Sequence, residues 1–297
     1  MTTVLGVGGI GHGVVMALRG NHDLGREESR AAQLLPVRDY CKLHIIFHYV
    51  AHLLDDASVM PIGAVGQDDA GARLIAEMAG AGMDTTLVRR LDLPTKYSVC
   101  YLYPDGSGGN LTTDNDAGDA ITPEWVEQAM AGVDGPVVGL AAPEVPIAVR
   151  EALLRGVAAR GGWSVGCFTA GEADEFAPLV PLCDVLCVNA GEAQAAGGAA
   201  ALHATMCAGQ GRGILTVTDG GRPLSVMTRE GVQQIPVPSQ TIVSTAGAGD
   251  AFCGGFLSAL IAGLPVDQAA RWGIATAGFA VTRPDSIALD FSKEVVK

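Results

Sequence analysis

The second half of the chain alternates short apolar runs with segments of helical periodicity, and this alternation constrains the fold more than any other feature. Four apolar runs read as buried strands: residues 137–140, 164–168, 185–188 and 214–217. Helical patterns occupy residues 146–159, 250–262 and 266–281. Apolar strands separated by helices are typical of a parallel sheet covered on both faces. The sequence therefore predicts an α/β fold with a central, mostly parallel sheet and helices on both sides.

The first half is less regular. Residues 1–8 and 58–63 read as strands, and residues 70–81 read as a helix that ends at Gly82. Residues 29–56 have apolar side chains at helical spacing, and Pro36 is predicted to split them into two helices.

Residues 97–103 alternate in polarity and are followed by the turn Pro104-Asp105-Gly106, from which residues 111–113 can return. This pattern predicts a β hairpin. Because a hairpin has no obvious place in a parallel sheet, we expect it to form a separate flap. No internal repeat or linker interrupts the 297 residues, which predicts a single domain, residues 1–297.

Composition limits the partners. The net charge is −13 and no cluster of lysines and arginines is present, so we expect no nucleic-acid partner and no membrane partner. The seven cysteines are scattered and form no Cys-x-x-Cys pair, which is typical of reduced thiols. No apolar run is long enough to span a bilayer, and no secretory signal precedes the first strand. We therefore expect a cytoplasmic protein.

Residues 244–256 read Ser-Thr-Ala-Gly-Ala-Gly-Asp-Ala-Phe-Cys-Gly-Gly-Phe, a run of small residues that leads into a predicted helix. The free amides at a helix start attract an anion, and small residues let it approach closely. A carboxylate would compete with that anion unless it removes a proton from an attacking hydroxyl. Asp250 is therefore a candidate general base, and the backbone of Gly247, Ala248 and Gly249 a candidate anion hole. The alternative is a glycine-rich turn in which Asp250 only caps its helix.

This stretch resembles the C-terminal signature of the PfkB/ribokinase family of carbohydrate kinases, Asp-Thr-x-Gly-Ala-Gly-Asp followed by a small-residue helix. Three further stretches resemble family motifs in order and spacing: residues 62–71, 189–192 and 216–221. The resemblance implies a ribokinase-like α/β fold with a small β lid, built from about residues 12–28 and 92–115, that closes over the substrate. Lids of this family often pair between subunits, so a homodimer through the lid is expected.

The resemblance also implies ATP-dependent phosphoryl transfer to a hydroxyl of a sugar, sugar acid or nucleoside-like molecule, with Asp250 as the base. Asn189 and Glu192 would organise Mg²⁺ and the phosphates, mainly through water. Thr218 and Gly220 would border the nucleotide, and Ala277 would pack against adenine. The implied cofactors are ATP and Mg²⁺.

The substrate side departs from the family pattern. Gly11 and Gly13 stand where the family has an Asn and an Asp that hold sugar hydroxyls, and Ala141 replaces a Glu. The stretch 42–47, Lys-Leu-His-Ile-Ile-Phe, lacks the family's di-glycine loop and following Asn. These losses predict an unusual substrate or weakened activity. They also leave an alternative function, a non-catalytic relative that binds a nucleotide or metabolite as a sensor.

Two smaller departures concern the cation and nucleotide sites. Ser244 stands where the family often has an Asp that helps bind a monovalent cation, so dependence on potassium is not expected. In the nucleotide loop Pro223 replaces the last glycine, which bears on adenine selectivity.

His44, His48 and His52 are four residues apart and share one face of a predicted helix. They could form a wall of the substrate pocket, a metal site, or a half-exposed face of neutral imidazoles. Separately, residues 6–11 resemble a dinucleotide-binding loop, which would indicate an oxidoreductase. That loop must open a helix and precede a second strand with an acidic end, and neither is visible here.

Overall fold

The computed structural model describes residues 2–105, 108–135 and 137–296. In chain order its elements are β1 (Thr2–Val7), β2 (Gly11–Leu18), β3 (Ala32–Tyr40), α1 (Lys42–Leu53), β4 (Ala57–Gly66), α2 (Asp69–Gly80), β5 (Val88–Leu91), β6 (Lys96–Leu102), β7 (Gly108–Thr112), α3 (Pro123–Ala131), β8 (Val137–Ala141), α4 (Ile147–Ala159), β9 (Trp163–Gly166), α5 (Ala173–Phe176), β10 (Val185–Asn189), α6 (Ala190–Ala195), α7 (Ala199–Ala208), β11 (Ile214–Thr218), β12 (Leu224–Thr228), β13 (Gly231–Ile235), α8 (Ala248–Ile261) and α9 (Val266–Ala280).

A nine-stranded sheet forms the centre of the protein, in the order β13-β12-β11-β10-β9-β8-β1-β4-β5. The pairs from β11 through β5 are parallel, whereas β12 and β13 are antiparallel additions at one edge. The central strands are largely apolar because both of their faces are covered; adjacent Val4 and Leu5 are each fully buried, in cores on opposite sides of the sheet. The predicted α/β class with a mostly parallel sheet is confirmed.

Helices cover both faces. One core packs α1, α2, α8 and α9 against the sheet, and the other packs α3, α4, α6 and α7 against the opposite face. Each core buries one of the two alternating sets of strand side chains. Burial of apolar surface stabilises a fold by roughly 25 cal/mol per Å², so both faces of the sheet contribute to stability. The carboxyl ends of the parallel strands are left as the edge at which a site can form.

A second, four-stranded sheet has the order β3-β2-β6-β7. The predicted hairpin is present as β6 and β7, paired antiparallel; Gly106 of its turn lies outside the described residues. β2 pairs parallel with β6 and antiparallel with β3. Because β2 follows the glycines after β1, these glycines open a strand and not a helix. This contradicts the dinucleotide-loop interpretation.

The prediction of a helix before Pro36 is wrong, because residues 32–40 form the edge strand β3. Its register against β2 shifts between Val14 and Met16, whose partners are Arg38 and Leu34. Pro36 lies within this irregularity, where its missing N–H removes no regular ladder bond. The second predicted helix is present as α1. Several other elements were not predicted: β2, β5, β12, α5, α6 and α7.

Candidate active site

The small residues before α8 form a tight turn at the carboxyl edge of the large sheet. Gly247 is the N-cap residue, with φ of 72°, and a β-carbon there would lie 2.5 Å from the Ser286 carbonyl oxygen. Only glycine fits both constraints. The Ala248 amide donates to the Thr245 carbonyl at 3.2 Å, so this expected donor is engaged in the turn. Gly249 is exposed, so its amide is the better placed of the two to meet an anion.

Asp250 lies in the first turn of α8 and is 9% exposed. Burial raises the pKa of its carboxyl, and the Lys42 ammonium partly offsets that effect. The Lys42 Nζ lies 3.2 Å from Asp250 Oδ1 and 3.5 Å from Glu192 Oε1. Burial lowers the pKa of Lys42, but the two carboxylates outweigh it and the net pKa is raised, so Lys42 stays charged. One cation therefore joins two carboxylates at this site.

Asn189 and Glu192 form a reciprocal capping box where β10 leads into α6. The Asn189 side-chain oxygen accepts from the Glu192 amide, and Glu192 Oε2 accepts from the Asn189 amide, both at 2.8 Å. This exchange fixes both side chains and leaves Glu192 Oε1 directed at Lys42.

The side-chain oxygens of Asn189 and Glu192 are of the kind that Mg²⁺ prefers as ligands. Because Mg²⁺ usually keeps several of its waters, it can bind at a site that offers few direct ligands. Among residues 2–105, 108–135 and 137–296 no group of three or more His, Cys, Asp or Glu side chains is arranged to hold a metal ion.

Two neighbouring cavities lie beside α8. The larger, of about 580 Å³, is bordered by Asn189, Thr218, Gly220, Gly249 and Ala277 among others. The smaller, of about 30 Å³, is bordered by Lys42, Glu192 and Asp250, and it shares Asn189, Thr218 and Gly249 with the larger one. The structure thus brings together residues that the sequence placed on four separate elements.

Three thiols, those of Cys167, Cys187 and Cys253, also border the smaller cavity. All seven cysteines are unpaired, and five of them are buried.

A short turn near the C-terminus links α8 to the small sheet. The Arg38 amide, near the end of β3, donates to Asp285 Oδ1 at 3.0 Å, and the Ser286 amide donates to the Arg38 carbonyl at 3.5 Å. The Ser286 carbonyl lies against Gly247. The same turn therefore contacts both the anion-site glycine and the small sheet.

Comparison with known proteins identifies the family. The model of the pfkB family carbohydrate kinases matches residues 46–292. The chain belongs to this family. It is 26% identical to an adenosine kinase of Schizophyllum commune over 254 residues, which cover 75% of this chain and 73% of that protein. It is 37% identical to Adenosine kinase 1 of Arabidopsis thaliana over 70 residues, only 23% of this chain and 20% of that protein.

Solved structures agree on the fold. A ribokinase of Cryptococcus neoformans in complex with ADP superposes with a TM-score of 0.78 at 18% identity, over 100% of this chain and 99% of that one. A nucleoside kinase of Burkholderia thailandensis in complex with inosine superposes with a TM-score of 0.79 at 17% identity, over 99% and 95% of the two chains. The ribokinase-like fold is confirmed, and this pfkB family kinase is a phosphotransferase.

Gly11 and Gly13, the expected substrate positions of the kinase, contact the neighbouring strand β6. A β-carbon at Gly11 would lie 2.6 Å from the Lys96 carbonyl oxygen, and one at Gly13 would lie 2.1 Å from Ser98 Oγ. The space that polar side chains would occupy is therefore filled by β6.

Two charged groups near the site were missed by the sequence analysis. Lys42 was noted only as part of a stretch that lacks the family's glycines, yet it contacts Asp250. Glu144 follows Pro143 three positions after Ala141, the residue that replaces the family's Glu. Its carboxyl lies near the side chains of Cys41, Lys42 and Lys96. The signal available in the sequence was the presence of this carboxylate only three positions after Ala141.

The histidines do not border the cavities beside Asp250. His44 and His48 are 2% and 3% exposed, which contradicts the half-exposed face for these two side chains. His48 Nε2 contacts the Ala288 carbonyl at 3.3 Å, and the His52 Nδ1 contacts the His48 carbonyl at 2.7 Å. Burial lowers the pKa of His44 to about 3 and that of His48 to about 4, so both stay neutral.

Within the described ranges no helix is both long and apolar enough to cross a bilayer.

Proposed function

We propose that this kinase transfers the γ-phosphoryl group of ATP to a hydroxyl of a sugar, sugar acid or nucleoside-like acceptor. One observation carries the proposal: the buried carboxylate of Asp250 borders a small cavity, and that cavity shares Asn189, Thr218 and Gly249 with a cavity of about 580 Å³ lined by the nucleotide-loop residues. The adenosine kinases, the nucleoside kinase and the ADP-bound ribokinase to which the chain is similar support this class of reaction.

In this mechanism Asp250 accepts the proton of the acceptor hydroxyl as its oxygen attacks the γ-phosphorus. A carboxyl whose pKa is raised by burial is a stronger base than an exposed one. Negative charge that develops on the transferring group is held by the amides at the start of α8, with Gly247 and Gly249 as donors. We assign Ala248 a lesser part because its amide already has a partner.

Lys42 supplies a fixed positive charge between Asp250 and Glu192, close to the path of the phosphoryl group. Such a cation stabilises charge in a site from which water is excluded. Asn189 and Glu192 would hold Mg²⁺ through water, and the metal would neutralise phosphate charge. Thr218, Gly220 and Ala277 border the cavity proposed for the nucleotide.

We also propose that the small sheet acts as the lid and that two copies of the chain pair through its outer face. Val14, Val99 and Leu111 are register neighbours on that face, and Leu111 is 66% exposed. Exposed apolar residues grouped on one sheet face favour contact with another protein surface. The unpaired cysteines are consistent with the proposed cytoplasmic location.

Asp250→Asn tests the proposal. The change keeps the size of the side chain but removes the base, so we expect ADP release with an acceptor to fall by about 10²–10⁴-fold. Binding of ATP, measured as the rise in Tm when the nucleotide is added, should persist. Asp184→Asn, at a structural carboxylate that accepts from Ser164 and Arg212, is the matched control for the amide substitution. Undiminished turnover in Asp250→Asn would refute the assignment, and ligand binding without turnover in the unmutated protein would favour the sensor function.

A further inference from the structure

Three thiols meet where the end of β9, the strand β10 and the helix α8 converge. Cys167 follows β9, Cys187 lies on β10 and Cys253 lies on α8. All three belong to the same apolar core, and all three border the small cavity that Asp250 also borders. None of them takes part in the proposed phosphoryl transfer.

Cys187 and Cys253 act on each other. Cys253 lowers the pKa of Cys187, and Thr216 acts in the same direction against the effect of burial. Cys187 and burial both raise the pKa of Cys253. The first proton of the pair is therefore lost from Cys187. The thiolate is the form of cysteine that oxidants attack.

Thr216 offers a second group to this thiolate. It is the register partner of Cys187 on the neighbouring strand β11, so the two side chains lie on the same face of the sheet. Its Oγ1 is buried and has no hydrogen-bond partner among the described residues. A buried hydroxyl without a partner is costly, and it is satisfied when it donates to an anionic sulfur.

Cys167 is engaged differently. Its thiol donates to the Ala141 carbonyl at 3.9 Å, and burial raises its pKa. Cys167 is therefore held as a thiol with a backbone partner, which leaves Cys187 and Cys253 as the pair that can react with each other.

The small cavity limits the size of a reagent that can reach this pair. A cavity needs roughly 10–15 Å³ to hold one water. The cavity beside Cys187 has about 30 Å³. Hydrogen peroxide is only slightly larger than water, so it fits there, whereas an organic hydroperoxide that carries a ring does not.

We propose that Cys187 and Cys253 are a modification site at which hydrogen peroxide forms a disulfide that switches the kinase off. The Cys187 sulfur attacks one peroxide oxygen; the S–O bond forms as the O–O bond breaks, and the departing hydroxide takes the thiol proton and leaves as water. The Cys253 sulfur then attacks the sulfur of the Cys187 sulfenic acid; the S–S bond forms as the S–O bond breaks, and a second water leaves with the Cys253 proton. The two thiols lose two electrons in total, and the peroxide gains them.

The bond would act on the proposed base because of its place on α8. Cys253 lies three residues after Asp250 and therefore on the same side of the helix. A covalent bond holds two sulfurs closer together than packing does, so it would draw this turn of α8 toward β10 and displace the Asp250 carboxylate. A displacement of about 1 Å can cost roughly 10²-fold in rate. The loss of turnover rests on the proposed function, whereas formation of the disulfide does not.

Mass spectrometry of the unmutated kinase tests the bond directly. The protein is treated with graded hydrogen peroxide, its remaining thiols are alkylated under denaturing conditions, and its peptides are analysed without reduction. We expect one peptide pair joined through Cys187 and Cys253. ADP release with sugar and nucleoside acceptors should fall as this pair forms and return with dithiothreitol. Cumene hydroperoxide, the bulky reagent, should form the bond at least about tenfold more slowly.

Two variants separate the steps. In Cys253→Ala the second thiol is missing, so Cys187 should accumulate as the sulfenic acid, which dimedone labels. Cys187→Ala should lower the rate constant of inactivation by peroxide at least about tenfold, with each variant compared with its own untreated activity. Cys207→Ala, at a half-buried thiol on α7, is the matched control and should be inactivated like the unmutated kinase.

The outcomes separate this inference from the proposed function. The inference is overturned if peroxide joins a different pair or none, if both hydroperoxides form the bond equally fast, or if Cys187→Ala and Cys207→Ala are inactivated alike. A disulfide that leaves ADP release unchanged would overturn its effect on the site. If the reduced, unmutated protein releases no ADP with any acceptor, phosphoryl transfer is overturned, while the disulfide and dimedone measurements still decide whether the modification site exists.

Discussion

Alanine substitutions at Gly11 and Gly13 test whether the space beside these two glycines of β2 is filled by β6. At Gly13 the new methyl would meet Ser98 Oγ at 2.1 Å, so reaching ordinary contact at 3.4 Å requires a displacement of about 1.3 Å. At Gly11 it would meet the Lys96 carbonyl oxygen at 2.6 Å, which requires about 0.8 Å. Overpacking of this kind costs about 1–3 kcal/mol, which lowers the Tm of a protein of this size by roughly 2–5 °C.

The obstacles differ in kind, and this difference makes the test specific. Ser98 Oγ is a side-chain atom, whereas the Lys96 carbonyl belongs to the backbone of β6. Ser98→Ala should therefore restore most of the stability lost in Gly13→Ala and none of that lost in Gly11→Ala. The coupling energy between positions 13 and 98 should be about 0.5–3 kcal/mol, and that between positions 11 and 98 near zero.

Urea unfolding, monitored by circular dichroism, measures the free energy of unfolding of the single and double variants. Gly171→Ala is the control, because a β-carbon there has no atom within 4 Å and its φ is not positive. If both glycine variants remain within about 0.5 kcal/mol of the unmutated kinase, or if Ser98→Ala rescues both equally, β2 and β6 are not packed as described.

Three further predictions concern pH, the site cation and assembly. Above pH 6.5 both His44 and His48 contribute fully to stability, and protonation in the unfolded chain removes this contribution as pH falls toward their folded pKa values of about 3 and 4. We expect a loss of about 2 kcal/mol for each by pH 5 in urea unfolding, and a flat profile would contradict their burial. Lys42→Met should lower kcat and move the acidic limb of the pH profile of kcat/KM to higher pH, because Asp250 loses the cation that lowers its pKa; an unmoved limb would show that Lys42 does not act on the base. Leu111→Lys should shift sedimentation from dimer to monomer, and a dimer that persists would place the interface elsewhere.

The grouping of the residues on the proposed nucleotide side could be predicted from sequence because its determinants are local. Each motif there sits at the end of one strand or the start of one helix, as Asn189, Thr218 and Gly247 do. Parallel strands then align these ends at one edge of the sheet without further information. The small residues and caps needed at such junctions are visible within a few positions of each other.

The packing on the proposed acceptor side could not be predicted because its contacts are distant in sequence. Gly13 and Ser98 meet only through the pairing of β2 with β6, and no local pattern announces that partner. The apolar residues of 29–40 fit helical spacing, but pairing of β3 at the edge of the small sheet outweighs that preference. Glu144 was visible in the sequence, whereas its left-handed backbone and unsatisfied oxygen became visible only in three dimensions.

The turn at Asp285 and Ser286 connects two parts of the kinase, the small sheet and the start of α8. It is hydrogen-bonded to Arg38 at the end of β3 and packed on Gly247 at the start of α8. A displacement of the small sheet must therefore stretch these bonds or drag the turn with it. Opening of the sheet would in this way loosen the amides that we propose receive the phosphoryl group, and an acceptor bound beneath the sheet, as proposed, would tighten them.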